Sequence, residues 1–175
     1  SLRPEQRDEF GHTLEPARYS TMEMIAVEKA MADSADRMAD SRAFGVGRRH
    51  VDQAIAERPF LAQEQKAAVR HVLGPERIEA VVGMAGAGKS TMLGAARQAW
   101  EAEGYQVMGA ALAGKAAEGL EESSGIRSRT LASWERSWER GRDALSSRSV
   151  LVIDEAGMVG SRQLSSVLEQ ADRAG

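Results

Sequence analysis

Residues 83–91 read GMAGAGKST and follow the apolar run IEAVV. No other stretch restricts the fold as strongly. The pattern G-x-x-x-x-G-K-[ST], set between a short apolar run and a helical one, is a phosphate-binding loop in the context that its chemistry requires. Gly83, Gly86 and Gly88, with the small Ala87 before the last of them, let the backbone wrap closely around a phosphate. Successive N–H groups and the N-terminus of the next helix then form an anion site. In such a loop Lys89 reaches the β- and γ-phosphates, and the Ser90 hydroxyl coordinates Mg²⁺, with Thr91 as the neighbouring candidate. ATP with Mg²⁺ is the expected ligand.

Apolar runs at 78–83, 105–110 and 149–154 alternate with helical stretches, among them 91–103 after the loop and about 160–173 at the end. Alternating strands and helices imply an α/β fold with a parallel sheet. The run VLVID is apolar at four successive positions, which suits a strand buried on both faces. Three helices precede these elements. The first is expected over about 20–40 with a Ser20/Glu23 capping box, the second over about 50–57 ending at Pro59, and the third over about 62–73, stopped by Gly74 and Pro75. The expected division is a helical segment over 1–74 and a P-loop ATPase domain over 75–175, joined near 74–77.

Composition narrows the function classes. Among 175 residues, 23 are basic and 26 acidic, a net charge of −3 that is too close to neutral to attract nucleic acid over the whole surface. The one basic patch is Arg127 to Arg148, with six basic and three acidic side chains. The chain has no cysteine, which removes disulfides, thiol catalysis and cysteine-ligated zinc, and His12, His50 and His71 have no metal spacing. No apolar run approaches the ~18 residues of a membrane span. A soluble cytoplasmic protein is the expectation.

VLVIDEAGM places Asp154 and Glu155 at the end of an apolar strand, the edge at which α/β sheets bind ligands. There Asp154 is placed to hold Mg²⁺, through water, and Glu155 to orient and deprotonate an attacking water. The rival reading is an acidic strand end that caps the helix starting near Gly160. Gln65, in LAQEQKAAV, carries an amide able to donate to and accept from an adenine edge, and equally suits a solvated helix position. Trp134 and Trp138, spaced i,i+4 among Arg136, Arg140 and Arg142, fit either core packing or a base-stacking face beside a phosphate-neutralising stripe. Trp100 reads as core.

The segments LAQEQKAAV, GMAGAGKST, ALAGKAAEGL, GIRSRTLASW and VIDEAGMV, with YSTMEMIAVEKAMADSADRMAD ahead of them, together resemble the first RecA-like domain of RecD-like superfamily 1 helicases. Within that group they are most similar to the helicase region of the Ti-type TraA family of conjugative transfer relaxase/helicases. The resemblance implies an incomplete RecA-like P-loop NTPase sheet and an adenine contact by Gln65. It also implies single-stranded DNA contacts along Ala111 to Ala117, the segment containing Ala113, Gly114 and Lys115; Thr130, Trp134, Arg136 and Arg140 are further candidates for DNA contact. The implied activity is ATP hydrolysis coupled to 5′–3′ translocation on single-stranded DNA during plasmid transfer. Implied partners are that DNA, the remainder of a relaxase/helicase chain and other conjugation proteins.

Where RecD-like proteins often read A-P-T-G-K-A-A, this chain has Ala111-Leu112-Ala113-Gly114-Lys115-Ala116-Ala117. The threonine's phosphate contact is lost at Ala113, and a plain helix start with a solvated Lys115 is the rival reading there. The relaxase nuclease, the later helicase motifs and a second RecA-like domain are missing from these residues, so the chain alone is expected to bind ATP without unwinding DNA. In such sheets another strand normally lies between the runs 78–82 and 150–153, so these two are not expected to be neighbours. The alternatives are a P-loop kinase or nucleotide-dependent transferase, and a non-catalytic DNA-binding module.

Overall fold

A computed structural model describes residues 6–7, 13–15, 22–39, 44–82 and 88–175. Ser20 and residues 83–87 of the glycine loop, Gly83, Gly86 and Ala87 among them, lie outside these. β1 (Gln6–Arg7) and β2 (Thr13–Glu15) form a short antiparallel pair. The three expected helices follow as α1 (Met22–Ala39), α2 (Arg48–Ala56) and α3 (Gln63–Val72). At the start of α3 the Ala62 N–H donates to Gln65 Oε1 at 2.8 Å, the reaching-back half of a capping box.

α4 (Lys89–Glu103) lies between two left-handed glycines, Gly88 at φ 72° and Gly104 at φ 96°. Without a Cβ each adopts this conformation at no steric cost, so the helix has sharp limits at both ends. β3 (Gln106–Ala111), α5 (Gly114–Ser124), β4 (Ser128–Thr130), α6 (Leu131–Glu139), β5 (Ser149–Ile153), a 3₁₀ turn (Ala156–Met158) and α7 (Ser161–Ala174) complete the chain. β4 has no counterpart among the runs expected from sequence, because three residues are too few to show an alternating pattern.

The strands make a parallel sheet in the order β4-β3-β5, with Ala110 opposite Ile153 and Ala111 opposite Thr130. Successive residues of β5 serve opposite faces, as the period of two requires. Val150 and Val152 pack with Val107 against α2, α3 and α4, in a core that includes Val51, Ile55, Val69, Met92, Ala96 and Trp100. Leu151 and Ile153 pack with Met108 and Ala110 against Leu131, Trp134, Val159 and Val167. Helices therefore cover both faces.

Two expectations about strands need correction. Residues 78–82 do not form a strand, and Val82 is 98% exposed. A strand persists only as one side of a ladder. β5 pairs with β3 on one side, and among the described residues no segment occupies its other side. For the same reason β5 is half-buried throughout instead of fully enclosed.

Side-chain bridges attach the leading helices to the α/β layer. Arg58 donates to Ala54 O, to Gln98 Oε1 at 2.6 Å and to Gly94 O at 3.3 Å, linking the end of α2 to the middle of α4. Arg77 donates to the carbonyls of Ala171 and Asp172 at the end of α7, where a cation complements the helix dipole. Asp172 also pairs with Arg37 of α1 at 2.9 Å.

Candidate functional site

Chain direction determines where the site assembles. Gly104 and Tyr105 are the only link between α4 and β3, so the helix runs back along the strand. The 15 residues of α4 rise about 22 Å and the 6 residues of β3 span about 20 Å. The N-terminus of α4 thus lies level with the carboxyl ends of β3 and β5. Lys89, Ser90 and Thr91 occupy the first turn of α4 and are half-buried. The N–H groups of a first turn have no carbonyl one turn earlier in the helix to bond, which suits them to a phosphate.

At the same edge the Asp154 N–H donates to Ala110 O at 3.0 Å, extending the β3–β5 ladder by one bond. Its Oδ1 accepts from the Glu155 N–H at 3.0 Å. Glu155 is exposed and sits at φ 52°, a left-handed conformation that costs a residue with a Cβ about 1 kcal/mol or more. The turn that follows secures it, with the Met158 N–H bonded to Glu155 O at 2.8 Å. The rival role of Asp154 and Glu155 as a cap for the last helix has no support here. Gly160 is the N-cap of α7, with no side-chain cap bond.

Gln65 lies against the loop's last glycine. Its Nε2 donates to Gly88 O at 3.2 Å, while its Oε1 accepts from Ala62. A Cβ placed on Gly88 would fall 1.9 Å from that nitrogen and displace the end of the Gln65 side chain, while the positive φ itself favours glycine.

The residues expected to face DNA divide into two groups. Ala113 is the N-cap of α5, Gly114 and Lys115 open that helix, and all three are exposed beside Asp154's strand partner β3. Thr130 closes β4, and its Oγ1 accepts from the Ser133 N–H at 3.2 Å as the N-cap of α6. Arg136 and Arg140 are exposed, about 8 and 14 Å further along α6 from the sheet edge. Trp134 is a correction to the stacking alternative. It is 1% exposed, its Nε1 donates to Gly109 O at 2.8 Å, and its ring packs in the core, so it cannot meet a base without unpacking α6.

Sequence reasoning missed Asp143. From φ 51° its Oδ2 accepts from Ser137 Oγ at 2.7 Å and from Arg129 Nη1 at 2.9 Å, and its carbonyl accepts from Trp138 Nε1 at 3.0 Å. The Ser137 bond first, then Arg129, holds its carboxyl below the usual aspartate range. Arg129 also lies 4.6 Å from the Trp134 ring centroid. The available signal was Gly141-Arg142-Asp143, a turn-forming cluster just after a helix.

The donors available for a metal are oxygens, the Ser90 hydroxyl and the Asp154 carboxylate. Among the described residues no three His, Cys, Asp or Glu side chains form a cluster that could hold an ion alone. This set fits Mg²⁺, which favours one or two protein oxygens completed by water and phosphate.

A family model described as an AAA domain matches residues 60–175. The conjugal transfer protein TraA of Rhizobium radiobacter is 54% identical over 160 residues, covering 91% of this chain and 14% of that protein. A probable conjugal transfer protein TraA of Sinorhizobium fredii and the conjugal transfer protein TraA of Agrobacterium fabrum are each 51% identical over the same coverage. The chain thus spans about one-seventh of the length of these relatives. No helix among the described residues is long and apolar enough to cross a membrane.

Proposed function

This chain belongs to the AAA-domain family, and from that premise we propose that it is the ATP-binding portion of a conjugative DNA helicase motor. What carries the reading is chain direction, by which two elements end at the same edge of the sheet. These are the Gly88-Lys89-Ser90 start of α4 and the Asp154-Glu155 end of β5. The names of the relatives, conjugal transfer proteins, supply the setting.

In this reading Lys89 binds the β- and γ-phosphates through charge-assisted hydrogen bonds. Ser90 and Asp154 would hold Mg²⁺, which supplies positive charge to the phosphate oxygens when bound. Glu155 orients the attacking water and takes its proton. Gln65, half-buried beside the loop, would contact adenine through an amide that can both donate and accept. Ala113, Gly114 and Lys115 lie one strand from Asp154, so single-stranded DNA at that segment would be coupled to the nucleotide through the Asp154–Ala110 bond. Arg136 and Arg140 would extend the contact to further phosphates. The charge-neutralising arginine of such motors comes in many cases from another domain or partner. ATP binding by this chain and hydrolysis with 5′–3′ translocation by a longer relaxase/helicase are therefore separable.

Titration with a fluorescent ATP analogue and Mg²⁺ tests the reading. Lys89→Ala is expected to weaken binding about 10- to 100-fold, the loss of charged hydrogen bonds worth about 1.5–3 kcal/mol. Equal affinity of parent and variant would remove the loop from the site.

A further inference from the structure

We infer that Gln65 is a positioning residue for the phosphate-binding loop, acting on the Gly88–Lys89 peptide independently of any base; this inference rests on the nucleotide-binding reading above. Gly88 O accepts from two donors at once. The Met92 N–H reaches it at 3.1 Å as the first bond of α4, and Gln65 Nε2 reaches it at 3.2 Å from α3. A carbonyl oxygen has two lone pairs, and here each has a partner.

A trans peptide is planar, with its N–H directed opposite to its C=O. Gripping Gly88 O from the α3 side therefore aims the Lys89 N–H away from Gln65, with the rest of the first turn. The grip has a defined polarity, because the Ala62 N–H at 2.8 Å requires an acceptor and Gly88 O requires a donor. These demands orient the amide with Oε1 towards Ala62 and Nε2 towards Gly88. The position of Gly88 matters because φ 72° is the point where the loop turns into the helix. The Met92 N–H holds this peptide plane from within the helix, and Gln65 adds a hold from outside it. α3 can supply that hold because Val69 and Leu73 embed it in the same core as Met92 and Ala96 of α4.

An adenine contact and a loop-positioning contact differ in what they do to a ligand without a base. The test is calorimetric titration of the parent, Gln65→Met and Gln65→Ala with Mg²⁺-ATP and with Mg²⁺-tripolyphosphate. Both replacements are neutral, so no new charge faces the phosphates, and Met keeps the length of the side chain. The expected result is a weakening of roughly three- to tenfold for both ligands, as for one lost hydrogen bond, with the melting temperature of the ligand-free protein within a few degrees of the parent. Weaker ATP binding with unchanged tripolyphosphate binding would overturn the inference and leave Gln65 as a base contact alone. Unchanged affinity for both would overturn it as well, as would a parent that binds ATP but not tripolyphosphate. A parent that binds neither ligand would remove the nucleotide-binding reading itself, a failure distinct from the other three.

Discussion

Residues 78–82, IEAVV, and 149–153, SVLVI, are of equal length and similarly rich in branched apolar residues, yet only the second is a strand. β5 bonds to β3 along five registered positions, whereas Val81 and Val82 of the first run are 38% and 98% exposed. The difference lies in the available edge. β5 lies against the edge of β3, whereas among the described residues 78–82 pairs with no strand. The two ends of the glycine loop differ in the same way. Upstream it follows an unpaired run, and downstream α4 is gripped by α2 and α3 through Arg58 and Gln65. β-structure thus depends on a partner, and a helix, once started at Gly88, does not.

The largest expected effect falls on the paired side. In a longer chain of the kind proposed above, Glu155→Gln would keep the shape of the β5 end but could not take a proton. Steady-state ATPase activity should fall about 10²- to 10⁴-fold with nucleotide affinity nearly unchanged. Retained turnover would show that the strand end does not supply the base.

Next comes Trp134→Ala. It removes a 1% exposed indole from the core beneath β3 and β5 and should cost about 3–5 kcal/mol in urea unfolding. A loss below 1 kcal/mol would mean that this face of the sheet is not the packed layer described above.

The comparison itself is tested by a matched pair. Val152→Ala, in the core against α4, should cost about 1–2 kcal/mol. Val82→Ala should change stability by less than about 0.5 kcal/mol, as at other exposed sites. Equal costs would show that 78–82 is buried against a partner in solution.

The smallest effect is acid-dependent. Asp143 has a folded-state pKa lowered first by Ser137 and then by Arg129. Its contribution is present above the ordinary aspartate pKa of about 3.9 and is lost as pH falls through the lowered folded value. Parent and Asp143→Asn should therefore differ in melting temperature at neutral pH and converge as the pH falls through the lowered folded value. A constant difference across that range would detach the effect from the carboxylate.

Much of the candidate site was legible in sequence. The G-x-x-x-x-G-K-[ST] spacing and the acidic end of VLVID marked Lys89, Ser90, Asp154 and Glu155 as candidates, because phosphate and Mg²⁺ chemistry requires those groups at those offsets. Trp134 remained ambiguous. Spacing i,i+4 puts two tryptophans on one helical face without saying whether that face meets a sheet or solvent, and the bond from Trp134 to Gly109 O spans 25 positions. Asp143 was illegible for a similar reason. Its partners Arg129 and Ser137 converge only after β4, α6 and the following turn are folded.

By itself the sequence determined where the helices lie. Pro59 follows α2, Gly74 follows α3, and Gly88 and Gly104 bound α4, since helix bonds join residues four apart and the stop signals lie within the same stretch. Only the tertiary structure decided which apolar runs became strands, that Trp134 is core, and that Gln65 meets the carbonyl of Gly88. Each of these requires a partner distant in the chain, and side-chain identity at one position does not specify which distant backbone will supply an edge or a carbonyl.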